Sequence, residues 1–143
     1  IETILAEKFE TISSRNITTT RARDFYDLYM LYHLYKDKID VKTLKEAIKR
    51  TSKHRGSLKS VSQYKEVTDL LKVSDSVKSL WEKYAKSNPY ANDIKFLDTI
   101  AVYERIGGML EAKESVLGVI KKYQDKEKVK LKEKEEASKE VER

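Results

Sequence analysis

Apolar side chains recur at helical spacing through most of the chain. Ile1, Ile4, Leu5, Phe9 and Ile12 fall on one stripe; at about 100° per residue it is roughly 140° wide, the width of a core-facing surface. The spacing predicts a helix from Glu2 to about Ser14. Arg15-Asn16 and Thr18-Thr19-Thr20 then form a loop, with Thr20 placed to cap a second helix. That helix runs to about Lys36, and its stretch from Phe25 to Tyr35 is so uniformly apolar and aromatic that it should be buried on most sides. Asp40 caps a third helix from Val41 to about Lys53, and Gly56 stops it. Val41, Leu44, Ala47 and Ile48 form its apolar side.

Beyond Gly56 the pattern loosens. The serine-rich stretch from Ser57 to Gln63 predicts a linker, and a short helix from Ser62 to Leu71 buries Tyr64, Val67, Leu70 and Leu71. Val77, Leu80, Trp81, Tyr84 and Ala85 make the next core stripe, with Trp81 as its anchor. Asn88-Pro89 ends that element, because the residue before proline is pushed out of the helical region. A further helix, capped by Asn92 or Asp93, carries Ile94, Leu97, Ile100, Ala101 and Glu104 at helical spacing. Gly107-Gly108 should kink or break it before it resumes from Met109 to Tyr123. The last 23 residues, Lys121 to Arg143, hold nine basic and seven acidic side chains and too little apolar surface to enter a core. The expected fold is therefore all-α: an irregular multi-helix bundle over residues 1–120 and a charged projecting helix or tail over 121–143. Only 4 Gly and 1 Pro in 143 residues support short connections between helices.

The net charge of +6 sharpens this picture, because all of the excess lies between Lys36 and Lys59. Lys42, Lys45, Lys49 and Lys53 fall within about 80° of one another on the outer side of the third helix. Such a row can follow an RNA backbone, and it can equally serve as a solvated face. With no cysteine and only His33 and His54, thiol chemistry is excluded and a zinc site built by His/Cys ligation is not expected. His33 reads as a packed or hydrogen-bonded histidine rather than a base. No phosphate-binding glycine loop or nucleophile elbow is present. No apolar run reaches the roughly 18 residues of a membrane span, and a reducing cytoplasm suits the cysteine-free composition.

The chemistry is concentrated near the start. Lys8 points toward the middle of the first stripe, and Arg15 lies within about 20° of it two turns later. Asp24 and Asp27 share a face of the second helix, and Arg23 stands at i, i+4 from Asp27. Charges set among apolar positions must pair with one another or face a polar cavity. Two readings follow: a structural ion cluster, or a cleft whose cations await an anionic ligand.

The motif E-x-x-x-A-E-K-[FL]-x-x-[IL]-x-x-R is met by Glu2, Ala6, Glu7, Lys8, Phe9, Ile12 and Arg15. R-x-[KR]-D-[FIL]-x-D-[LI] follows at Arg21, Arg23, Asp24, Phe25, Asp27 and Leu28. The pair resembles the C-terminal motifs of the AbiEii/AbiGii nucleotidyltransferases, toxins of type IV toxin–antitoxin and phage abortive-infection systems. The resemblance implies active-site roles for Lys8 and Asp24, with Lys8 and Arg15 binding the triphosphate of a nucleoside triphosphate. It leaves Arg21, Arg23 and Asp27 as the structural ion cluster. Arg23 stands where the family more often has Lys, which keeps the charge and changes the donor geometry.

The family's other lobe carries a Gly-Ser turn and an Asp-x-Asp pair that holds Mg²⁺. This sequence has Gly56-Ser57 and no Asp-x-Asp, so it is expected to be the C-terminal helical half, with no metal ligands of its own and inactive without the missing N-terminal lobe. The implied acceptor is RNA such as tRNA, and the lysine row Lys42, Lys45, Lys49 and Lys53 of the third helix is its candidate contact. The implied partner is a cognate antitoxin that does not bind directly. The competing expectation is a non-enzymatic helical module that binds nucleic acid or protein through the third helix.

Overall fold

A computed structural model of the chain describes residues 1–111 and Lys130. Seven α-helices and two 3-10 turns, with no strand among the described residues, build the body: α1 Glu2–Arg15, α2 Ala22–Tyr35, α3 Val41–Arg55, α4 Leu58–Ser62, α5 Tyr64–Val73, α6 Asp75–Ser87 and α7 Phe96–Glu111. The fold is all-α, as the apolar spacing predicts. The charged tail expected over 121–143 lies outside the described residues, apart from Lys130 in a helical conformation.

The core is one cluster. α1 packs along α3 and α2, α2 against α7 and α6, and α5 against α7. Leu5, Phe9, Phe25, Leu28, Leu44, Ile48, Leu71, Ile100, Tyr103 and Ile106 are essentially inaccessible to solvent. Phe9 stacks on Tyr103, with ring centroids 4.7 Å apart. The Tyr103 hydroxyl shares a 2.6 Å hydrogen bond with Ser13, so the buried phenol has a polar partner and the α1–α7 contact is specific as well as apolar. Burial drives the Tyr103 phenol well above the ordinary tyrosine range, with the Ser13 bond opposing it. Trp81 anchors α6, being 2% exposed and donating its indole N–H to the Ile94 carbonyl.

Local signals set several boundaries as expected. The Asp40 carboxylate accepts hydrogen bonds from the Lys42 and Thr43 backbone N–H groups and caps α3. Gly56, at φ +70°, takes the left-handed conformation that closes the same helix and is open to glycine without strain.

Other expectations are corrected. Thr20 does not cap α2; Arg21 holds that position without a side-chain bond, and the Thr19 hydroxyl turns the chain by accepting from the Arg21 N–H. The supposed linker from Ser57 to Gln63 contains α4, pinned by the buried Val61. Ile94 precedes α7 rather than belonging to it, and α7 buries Thr99, Val102, Tyr103 and Ile106 with Ile100, leaving Leu97, Ala101 and Glu104 outside. The face is rotated because α2 and α5 approach from that side.

α7 also runs through Gly107-Gly108 without a break. A Cβ at Gly107 would collide with the Tyr64 ring, so this glycine lets α5 and α7 approach closely. The expected continuation to Tyr123 leaves the described residues after Glu111. In α2, His33, Leu34 and Tyr35 are exposed, so its last turn is not enclosed. In α1, Ile4 is turned outward, while Ala6, Glu10 and Ser13 are buried. Val41 and Leu70 are likewise outside the core.

Candidate functional site

The helical phase that buries Leu5, Phe9 and Ile12 puts Lys8 on the flank of α1 that faces α2, at the edge of the apolar face rather than its middle. Burial of Phe25 and Leu28 turns Asp24 and Asp27 of α2 toward it. The Lys8 Nζ donates to Asp24 Oδ1 at 3.2 Å and lies 2.9 Å from Asp27 Oδ2. Partial burial pulls the Lys8 pKa down; bonds and charge from Asp27, and then Asp24, outweigh it, and the ammonium ends above its ordinary value. Around this centre, Arg21 Nε stands 3.5 Å from Asp24 Oδ2 and Arg23 Nε 3.7 Å from Asp27 Oδ2. Arg23 is the most exposed of the group, on the outer edge of α2.

Asp24 is only 2% exposed, yet its Oδ2 atom accepts no hydrogen bond. The Arg21 guanidinium supplies charge nearby without hydrogen-bond geometry. A buried carboxylate oxygen with an open lone pair is costly unless something completes it.

That carboxylate stands in the wall of a polar cleft of about 390 Å³, lined by Glu7, Lys8, Glu10, Thr11, Ser14, Arg15, Arg21, Asp24 and Arg55. Lys8, Arg15, Arg21 and Asp24, singled out from the sequence, therefore meet in one recess. Arg23 and Asp27 stand outside its lining, behind the Lys8 contact.

Five lining residues, Glu7, Glu10, Thr11, Ser14 and Arg55, were not singled out as site residues, and two of them form an ion pair. Glu10 is 3% exposed, and the Arg55 guanidinium, arriving from the last residue of α3, donates to its Oε2 at 2.6 Å. A sequence signal for Glu10 exists: it shares a helix face with Ala6 and Ser13, small residues that let a neighbouring helix come close. Its partner lies 45 positions away and carries no such signal.

Lys42, Lys45, Lys49 and Lys53 are exposed along α3, form no ion pair with the described residues, and lie outside the cleft lining. Lys45 and Lys49 instead border a separate groove floored by Ile48, Val61 and Tyr64. Gly56-Ser57, the sequence's only Gly-Ser pair, is the stop of α3 and no part of this recess.

The donor set suits an anion: one ammonium and three guanidinium groups surround the space, against the carboxylates of Glu7, Glu10 and Asp24, two of which are already paired with cations. It does not suit a divalent metal. Glu10 and Asp24 are already engaged by cations, and no group of three or more His, Cys, Asp or Glu among the described residues is placed to hold one.

Residues 1–105 match the family model of the nucleotidyl transferase AbiEii toxin of type IV toxin–antitoxin systems. The chain belongs to the AbiEii family. No curated protein and no solved structure matches it. The matched span contains α1 to α6, most of α7 and every residue of the cleft lining. Membership in this AbiEii family makes the chain part of a nucleotidyl transferase toxin system, a chemistry that in general uses a nucleoside triphosphate and a metal, and it implies an antitoxin. No helix among the described residues is long and apolar enough to cross a membrane.

Proposed function

We propose that this AbiEii chain supplies the phosphate-handling half of a nucleotidyl-transfer site. The observation that carries this reading is the cleft itself: cations from α1 and α2 converge around a buried carboxylate that keeps one oxygen free of hydrogen bonds. Lys8 and Arg15 bind the triphosphate or its leaving pyrophosphate, where charge-assisted bonds are strongest. Asp24 orients Lys8 through Oδ1 or acts on the acceptor hydroxyl. Asp27 holds α2 in register beside α1 through Lys8, while Arg21 and Arg23 brace Asp24 and Asp27 from within their own stretch of chain. Mg²⁺ would neutralise developing charge on the transferred phosphate, and its ligands would have to come from outside this cleft, from the lobe that the family resemblance implies. The helical half alone does not catalyse transfer.

The acceptor in this reading is RNA, with a tRNA end as the favoured form. The toxin acts in the cytoplasm during phage abortive infection, countered by an antitoxin that does not bind it directly. Lys8→Ala and Asp24→Ala, introduced separately into the full-length toxin, should each abolish transfer of labelled nucleotide while leaving helical content unchanged. Transfer at the wild-type rate by either folded variant removes that residue from the site.

The exposed lysine row of α3 favours a second reading, in which the chain binds RNA without any nucleotide chemistry. Changing Lys42, Lys45, Lys49 and Lys53 to Gln should reduce the salt slope of RNA binding by about 0.7 per lost phosphate contact. Tight binding that depends on these four lysines and ignores Lys8 would favour the binding module.

A further inference from the structure

Within the site just proposed, the pair Glu10–Arg55 has no role yet. A carboxylate buried to 3% exposure is an expensive way to join α1 to α3, since apolar residues of similar volume commonly serve as well or better. What the pair achieves that an apolar contact does not is to fix a guanidinium at the mouth of a cleft. Only Arg55 Nη1 is engaged, by Glu10 at 2.6 Å and more weakly by the Thr11 hydroxyl at 3.4 Å. The side chain remains 44% exposed and lines the same recess as Lys8, Arg15 and Arg21. An arginine held on one edge retains N–H groups on the other, in the planar fork that matches phosphate.

We propose that Arg55 is a phosphate-contacting residue delivered from a third helix, and that Glu10 is the positioning residue that aims it. The phosphate belongs either to the nucleoside triphosphate or to the acceptor RNA backbone.

Calorimetric titration of the full chain at low salt, with inorganic pyrophosphate in one arm and a short single-stranded oligoribonucleotide in the other, separates the sources. Arg55→Gln should weaken binding of one probe about tenfold, the size of one lost charge-assisted bond. Loss toward pyrophosphate assigns Arg55 to the triphosphate, and loss toward RNA alone assigns it to the acceptor. Arg55→Lys should recover only part of the affinity, because it keeps the charge and loses the fork. Glu10→Gln should weaken the same probe a few-fold with thermal stability preserved, a change that a purely structural contact would not produce.

Because Arg55→Gln strands a buried carboxylate, the double variant Glu10→Gln with Arg55→Gln provides a neutral pair for a folded comparison. Unchanged affinity for both probes in that variant overturns the inference, as does failure of the wild-type chain to bind either. Lys8→Ala run alongside keeps the two ideas apart. Lost pyrophosphate binding there, with neither probe weakened by the Arg55 change, leaves the proposed function standing and removes this addition; a probe weakened by the Arg55 change, with pyrophosphate binding intact in Lys8→Ala, retains Arg55 as a phosphate contact and removes Lys8.

Discussion

Replacing Lys8 by Met tests whether the ion cluster is as tightly coupled as its geometry indicates. At 3.2 Å and an effective dielectric of about 20, Coulomb's law gives roughly 5 kcal/mol for Lys8 with Asp24 before desolvation is charged against it. Lys8 retains 23% side-chain exposure, whereas Asp24 retains 3%, so the loss falls chiefly on the carboxylate. Arg21, half exposed at 3.5 Å, compensates in part. We therefore expect Lys8→Met to destabilise the fold by about 2–3 kcal/mol, below the roughly 3–5 kcal/mol of a fully buried pair that loses one partner.

Asp24→Asn should cost less, about 1 kcal/mol, because Lys8 keeps Asp27 at 2.9 Å. With both changes present there is no stranded charge at Asp24, and the double variant should be about 1–2 kcal/mol more stable than the summed single effects imply. Urea denaturation of the four proteins, followed by far-ultraviolet circular dichroism, measures this directly. Additivity within about 0.5 kcal/mol would refute the coupling and, with it, the claim that the buried carboxylate depends on Lys8.

The adjacent glycines of α7 should respond with opposite signs. Gly108→Ala, with open space at its Cβ, should stabilise by up to about 1 kcal/mol through helix propensity, whereas Gly107→Ala should destabilise by about 1–2 kcal/mol net as its methyl displaces the buried Tyr64 ring; equal shifts in thermal midpoint would refute the close approach. Stability should also fall at alkaline pH. Burial and the Glu111 contact push the Tyr64 phenol from its ordinary 10.0 up to about 12, and the Lys8 ammonium is also raised. For both groups the folded state favours the protonated form, so their contribution is complete below the unfolded values and is lost as pH climbs through the folded ones. Denaturant midpoints measured between about pH 9 and 12 should fall in the wild type and fall less in Tyr64→Phe, which keeps the ring and removes the titrating hydroxyl; identical profiles would refute the Tyr64 contribution.

Most of the elements were legible, α4 excepted, because each depends on chemistry within a turn or two of chain. The Asp40 cap reaches N–H groups two and three residues on, Gly56 needs only its own φ, and the apolar period of α3 places Leu44, Ala47 and Ile48 inside. The cationic flank of α1 and the paired aspartates of α2 were likewise visible as charges at apolar positions. Which partner each would meet was not, since Lys8 and Asp24 are 16 residues apart and nothing local sets the angle between their helices.

Tertiary packing decided the rest. It turned Ile4 out and Glu10 in, by choosing which side of α1 would face α3, and it made Gly107 a contact surface for Tyr64, 43 positions earlier, instead of a break. Arg55 reaches the cleft only because α3 lies along α1, so a residue that reads in sequence as one more cation on a basic helix becomes the partner of a buried acid. Local chemistry determines where helices start, stop and carry charge; the faces they present, and the charges that converge, are chosen by the lowest free energy of the packed whole.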